Sequence, residues 1–513
     1  MLGSSSYSSE EDRDHERSSP LDLPQPQFQP QPQPQPRPPL RLLDYQRLLI
    51  SSSSNITTTT SAALLPSSSS VVLSSTPPTL LSTSPQSSVI HPRQLLVTCA
   101  ELISRSEFLS ANRLLSLIST DFALQFGDST ERLVYYFCKA LRERINRYLL
   151  STTTCVMNPS INIPVTLAHH QQRPIFSSSP SPQIILPNNQ IPRPSRIVEQ
   201  DVTTRYSSYL SLNQVTPFIR FTHLTANQAI LEAVEGYASI HILDMDVMHG
   251  VQWPPLLQAI MERSSTLGRS CPTIRITGAA RDPTILDRTG DRLRRFAESL
   301  GIEFEFCDLV LYDSEVVDHS EAVIHALMDH RLKFDQVEEA LAINCGDYLH
   351  RLLREYDTRS LRRFLHKVKT LNPKVLTLGE READHNHPLF LRRFVEALDH
   401  YGAVFDSLEA TLPPQSRERV AVEEAWFGEE IKDVVGEDGE RRKDRHQRFE
   451  SWEMVMRSSG FKSLALSPFS LSQAKLLLRL HYPSEGYQLQ VVKKHCLFLG
   501  WKNRPLYSVS SWQ

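Results

Sequence analysis

The chain has 513 residues, a formal net charge of −3 and 40% hydrophobic residues, which is ample material for a large core. The near-neutral balance excludes a global electrostatic drive toward nucleic acid, and seven cysteines without a C-x-x-C pair exclude a disulfide framework and a zinc signature. No run approaches the ~18 consecutive apolar residues of a membrane span, and the polar, acidic start lacks a signal-peptide core, so a reducing, intracellular setting is expected.

Residues 1–90 are low complexity. Alternating Gln-Pro between Pro24 and Pro36 favours extended polyproline, and the Ser/Thr run over 51–88 cannot bury enough to fold. The segment reads as a disordered, solubilising leader, with 40–45 a weak candidate docking peptide. Residues 91–235 read as a helical cap. Pro92 suits a first helical position, Ser106 can cap a second helix, and Asp128 with Glu131 has capping-box spacing before a third. A Pro-, Ser- and Asn-rich stretch over 151–196 is too long for an ordinary loop and reads as a disordered insertion. Helical pattern resumes over 206–231.

Residues 236–513 alternate. Strand-like runs at 240–243, 273–277, 303–306, 341–344 and 374–378 are separated by helical patterns at 256–261, 285–300, 316–328 and 360–371. This βα alternation predicts a doubly wound, methyltransferase-like, mostly parallel sheet. Runs at 487–493 and 496–501 predict a terminal antiparallel pair at its edge. Trp512, next to the end of the chain, suggests a terminus that is packed down.

The most informative stretch is 240–254. The apolar run His241, Ile242, Leu243 ends in Asp244 and Asp246 at a strand's carboxyl edge, where open α/β sheets place their ligand crevice. Gly250 allows a tight turn, Gln252 and Trp253 follow, and Pro254–Pro255 can open a helix. A phosphate-binding loop needs several glycines for close backbone approach, and here Gly250 stands among bulky neighbours. Asp244 and Asp246 are therefore expected to cap the turn rather than bind a ribose or an amine.

Glu380 and Glu382 could form an acid–base pair. They are expected on opposite faces of the segment, with ion pairing to Arg381 or Arg392 favoured and Glu396 a further ion-pair residue. His385 and His387 read as solvated loop histidines, not metal ligands. The run 437–450, with Arg441, Arg442, Lys443 and Arg445 among acids, reads as an exposed face of mixed charge.

The block from His241 through Gly250, Gln252 and Trp253 resembles the VHIID motif of the GRAS family of plant regulatory proteins, and the resemblance extends over roughly 91–513. Glu380, Arg381, Glu382, Pro388, Arg392, Phe394 and Glu396 resemble its PFYRE region. Arg442-Lys-Asp-Arg445 occupies the place of its RVER element, and Gly500, Trp501, Pro505, Leu506, Ser510 and Trp512 resemble its SAW region, with Ser511 replacing Ala. The closest likeness is to the Lateral suppressor (Scarecrow-like) branch, which governs axillary meristem formation and shoot branching. No DELLA-type segment precedes residue 91, so gibberellin-triggered degradation is not implied. The resemblance implies a nuclear, non-enzymatic transcriptional regulator without cofactor, metal site or small-molecule substrate. Its implied partners are C2H2 zinc-finger and other transcription factors and other GRAS chains, with DNA contacted weakly or through a partner. Two alternatives stay open: a sequence-specific DNA reader, or a methyltransferase-like protein that binds a small ligand at Asp244 and Glu380.

Overall fold

The computed structural model describes residues 91–156, 206, 208–311, 339–413 and 415–513. The leader, most of the 151–196 insertion and the helix expected over 316–328 lie outside the described residues.

Helix α1 (Pro92–Ser104) starts on His91, whose ring accepts from the Arg93 N–H at 3.3 Å, and Pro92 opens it without wasting a donor. Ser106 does not cap α2 (Phe108–Asp121): it takes a left-handed φ of 62°, and Glu107 holds the N-cap without a side-chain bond. The capping box ahead of α3 (Ser129–Val156) does form. Glu131 N–H donates to Asp128 at 2.9 Å, and Asp128 N–H donates back to Glu131 at 2.9 Å. The helical run expected from 206 breaks before α4 (Pro217–Ala233), because Pro217 carries no N–H to continue the preceding turn.

The core is an eight-stranded sheet in the order β3-β2-β1-β4-β5-β8-β7-β6. Strands β1 (Ser239–Asp244), β2 (Thr273–Ala280), β3 (Phe304–Val310), β4 (Glu339–Gly346) and β5 (Val375–Arg381) are parallel. Between them run α5 (Trp253–Thr266), α6 (Pro283–Ser299) and α7 (Arg359–Thr370). The doubly wound order expected from the alternation is the one observed.

The carboxyl end departs from expectation. The strands β6 (Tyr487–Lys493) and β7 (Cys496–Trp501) are present, but a third, β8 (Arg504–Trp512), inserts between β5 and β7 and pairs antiparallel with both. Trp512 is thus a strand residue beside Leu376, fully buried, and not merely a tethered end. The polar sequence Tyr507-Ser-Val-Ser-Ser hides this strand because the serines spend their backbone groups on two neighbouring strands.

Alternation along β1 divides the core. Ile240 and Ile242 join Trp253, Leu256 and Leu257 on one face, while Leu243 joins Ile343, Leu376 and Trp452 on the other. Each such buried side chain contributes roughly 1.5–3 kcal/mol. The helices α1 and α3 pack on α8 (Phe390–Thr411), where Phe137 and Phe394 meet edge to face at 5.5 Å, and α2 packs against α1 and α3. Among the described residues no helix is long and apolar enough to cross a membrane.

Candidate functional site

The parallel register sets Asp244 of β1 beside Asn344 of β4, and Asn344 beside Thr377 of β5. Three polar residues far apart in sequence therefore line one sheet edge. The Trp253 indole N–H donates to Asp244 Oδ2 at 3.0 Å, and Asn344 Nδ2 donates to Asp244 Oδ1 at 3.0 Å. Gln252 exchanges bonds with Asn344 at 3.2 and 3.3 Å, and Thr377 donates to Asn344 Oδ1 at 2.9 Å. On the other side, Asn227 of α4 donates to the Gln252 carbonyl at 2.8 Å and so ties that helix to the turn.

The turn itself depends on Gly250, with φ +62°; a Cβ there would lie 2.7 Å from Thr289 Cγ2 of α6. His241, earlier in β1, meets Thr277 of β2 at 2.8 Å and lies 3.5 Å from Glu339.

Asp244 is the electrostatic centre of the cluster. Burial pushes its carboxyl up to about 7, against the lowering effect of the Asn344 and Trp253 bonds. Asp244 also takes a backbone hydrogen bond from Asp246, so the turn-capping expected of it is present, and its two oxygens add a buried side-chain network to it. Asp246 instead receives Arg351 at 2.7 Å.

Aromatic side chains pack together beside this edge. Tyr209 is buried, and its hydroxyl is held neutral by burial and by the neighbouring charges of Asp246, Asp244 and Asp347. The His249 ring stacks on Tyr206 at 3.7 Å and lies 5.9 Å from Tyr209, which in turn meets Trp426 at 5.9 Å. A cavity of about 330 Å³ does exist, lined by Val234, Tyr237, Ile260, Arg263 and Leu267, but it opens at the amino end of β1, away from Asp244.

A second polar cluster surrounds Arg381. Its guanidinium is paired with Asp347 and Glu430 and donates to His446 Nε2 at 3.2 Å. His446 Nδ1 lies 3.1 Å from His385 Nδ1. With Nε2 accepting from arginine, the assigned tautomer puts the His446 proton on Nδ1, donating to His385. Burial holds both rings neutral, well below the usual histidine range.

His350 is the exception. Burial opposes its charge, yet Glu380 at 2.8 Å, with Asp444 and Asp347 nearby, pushes it up to about 9. Asp347, His350 and His446 offer ligand atoms within 4.8 Å of one another, the spacing of a metal site. The geometry holds a guanidinium instead: Arg381 Nη1 bonds both Asp347 and His446, and His350 is an imidazolium bound to Glu380.

Several expectations fail here. Glu380 in β5 and Glu382 just past its end are two residues apart in extended chain, and a period of two returns to the same side, not the opposite one. They are separated by function: Glu380 takes His350, and Glu382 takes the Phe449 N–H at 3.1 Å and so caps α9 (Phe449–Ser458). Neither pairs with Arg392, which is exposed; the ion pair to Asp438, at 2.6 Å, belongs to its buried neighbour Arg393. Glu396 does form ion pairs, with Arg448 at 2.9 Å and Arg504 at 2.6 Å.

His385 is buried, not solvated, whereas His387 is half-buried and Pro388 exposed. The 437–450 run is not an exposed face either. Arg442, Asp444, Arg445 and His446 are all buried, and burial lowers Arg442 to about 9. The run's mixed signs reflect internal pairing rather than solvation.

At the carboxyl end, the Trp501 indole donates to Asp406 at 2.7 Å and the Trp512 indole to Ser510 Oγ at 2.9 Å. Leu506 is buried and its carbonyl accepts from the Glu382 N–H at 2.8 Å, while Gly500 and Pro505 pair across the β7–β8 bend.

Residues 92–513 match the model of the GRAS domain family. The chain belongs to this family of plant transcriptional regulators. Within its Scarecrow-like branch, this GRAS protein is 48% identical to Scarecrow-like protein 18 of Arabidopsis thaliana over 82% of this chain and 91% of that one. It is 41% identical to Protein MONOCULM 1 of Oryza sativa subsp. japonica, over 82% and 88%. The crystal structure of SCL7 from Oryza sativa superposes with a TM-score of 0.61 at 30% identity, covering 84% of this GRAS chain and all of that one.

Proposed function

We propose that this GRAS protein is a non-catalytic nuclear regulator acting through protein contacts, with C2H2 zinc-finger factors and other GRAS chains as partners. Its developmental setting in this reading is axillary meristem initiation and shoot branching, suggested by the Lateral suppressor likeness of its SAW-like end. DNA is reached mainly through the partner. The observation that supports the non-catalytic part is the commitment of Asp244, whose two carboxylate oxygens are taken by Trp253 and Asn344, with the rings of Tyr209, His249 and Trp426 packed near one another. The PFYRE- and SAW-like residues Glu382, Glu396, Trp501 and Trp512 serve in this reading as structural ties.

The test is a mobility shift at physiological salt, with the protein alone and then with a C2H2 zinc-finger factor on that factor's site. Retardation beyond the factor's own shift, seen only when both are present, is expected. Salt-resistant, sequence-dependent binding by the protein alone would overturn partner dependence. A saturable thermal shift with S-adenosylmethionine, abolished by Asp244→Ala, would overturn the non-catalytic reading.

A further inference from the structure

Two serine- or threonine-proline pairs lie among the described residues, Thr216-Pro217 and Ser467-Pro468. The first is closed to chemistry: Thr216 is fully buried and its hydroxyl donates to the Leu212 carbonyl at 2.8 Å. The second stands at the surface. Ser467 is half-buried, Pro468 is exposed, and Phe469 is 69% exposed at the start of helix α10 (Pro468–His481). Proline holds the residue before it extended, and Ser467 has φ −73° and ψ 161°. Residues 464–467 run outside any helix or strand.

The hydroxyl of Ser467 ends a short polar seam. It donates to Glu232 Oε1, near the carboxyl end of α4, at 2.5 Å, and Gln228 Nε2 donates to the same oxygen at 2.5 Å. Gln473 Nε2 of α10 donates in turn to Gln228 Oε1 at 3.0 Å. These bonds tie the first half of α10 to the last turns of α4. Glu232 needs its donors, because the carboxyl end of a helix disfavours an acid.

Apolar packing does little to hold that half of α10. Its buried positions there are Ser470 and Ala474, and the larger Leu477 comes a turn later. The far end is anchored separately, through the Tyr482 hydroxyl, which donates to the Gln214 carbonyl at 2.9 Å. A hydroxyl on extended chain just before proline suits one class of enzyme. Kinases that select proline after the acceptor leave the backbone at that position without a partner, and proline has no N–H to lose.

We propose that Ser467 is a phosphorylation site for a proline-directed serine/threonine kinase, and that the phosphate frees the first half of α10 from α4. Ser467 Oγ attacks the γ-phosphorus of ATP. The Oγ–P bond forms, the bond from that phosphorus to the bridging oxygen breaks, ADP leaves, and the hydroxyl proton passes to the kinase's catalytic carboxylate. The product lacks the donor that Glu232 used and sets about −1.5 to −2 of charge against it. At this separation the repulsion exceeds what one hydrogen bond contributes. Asn227 of α4 also holds the Gln252 carbonyl, so the modification acts on a helix that supports the central turn.

The test treats the full chain with a recombinant mitogen-activated protein kinase and MgATP, and maps phosphate by mass spectrometry. Phosphate is expected at Ser467, in the tryptic peptide 463–475, and absent from that position in Ser467→Ala. A helix this short is marginal once detached, so hydrogen exchange over 472–477 should quicken by about tenfold or more on phosphorylation. Exchange near Tyr482 should change little. In Glu232→Gln the phosphate meets an amide donor, and phosphorylation should leave exchange over 472–477 at its unmodified rate.

No phosphate on Ser467 in the native chain, while Ser19-Pro20 is loaded, would overturn the site, as would phosphate appearing there only after urea unfolding. Phosphate on Ser467 with unchanged exchange, or with equal acceleration in Glu232→Gln, would overturn the release of α10. These readouts involve neither DNA nor a zinc-finger factor, so they stand apart from the partner-dependent shift.

Discussion

Asp244→Asn is the sharpest perturbation of the buried network, because it keeps the shape and removes the titration. The folded carboxyl sits at about 7 against an ordinary 3.8, raised chiefly by burial. A raised folded value means that the native state holds the proton more tightly than the unfolded chain. The stability this contributes is fully present below pH 3.8, declines across the interval, and is lost once pH passes about 7. Over roughly three pH units at about 1.4 kcal/mol each, the loss amounts to about 4 kcal/mol.

The variant has no such term. Its amide nitrogen must face either the Trp253 N–H or the Asn344 amide, a donor against a donor, which costs about 1–3 kcal/mol at every pH. Glu382, also raised to about 7 by burial, and the buried histidines titrate in both proteins and cancel in the difference. Urea unfolding of both chains at about pH 5, 6, 7 and 8 should therefore show the wild type losing ground to the variant by about 1.4 kcal/mol per unit up to pH 7, then levelling. A difference that stays constant from pH 5 to 8 would refute the claim that Asp244 is a desolvated, proton-retaining carboxyl.

Three further outcomes follow from the same geometry. Trp253→Phe keeps most of the buried ring but removes the donor to Asp244; chemical denaturation should show a loss of about 1–3 kcal/mol, and a loss below half a kcal/mol would show that the bond is not formed. Gly250→Ala forces a Cβ to 2.7 Å from Thr289 at a left-handed φ, so a loss of about 1–3 kcal/mol is expected, relieved in part by adding Thr289→Ser. Arg381→Met removes the buried cation that pairs with both Asp347 and Glu430; a loss of about 3–5 kcal/mol at neutral pH is the expected denaturation result.

The motifs themselves were legible in linear order. An apolar run ending in an acid, a glycine and a Pro-Pro pair sufficed to place β1, its turn and α5, since each rests on local conformational preference. The alternation of strand and helix likewise sufficed for the parallel half of the sheet. What could not be read locally was β8, whose serines look like a loop until two neighbouring strands accept their backbone groups.

The sequence by itself determined the five parallel strands and the helices α5, α6 and α7 between them, because side-chain period and turn chemistry act over a few residues. It could not determine which charges are buried. Arg442, Arg445 and His385 look solvated in any local window, yet the fold carries them beneath α8 and pairs them there. Asp244, Asn344 and Thr377 likewise become one site only through strand register, which is set by packing on both faces of the sheet. Burial and register are properties of long-range contacts, which no local window of sequence contains.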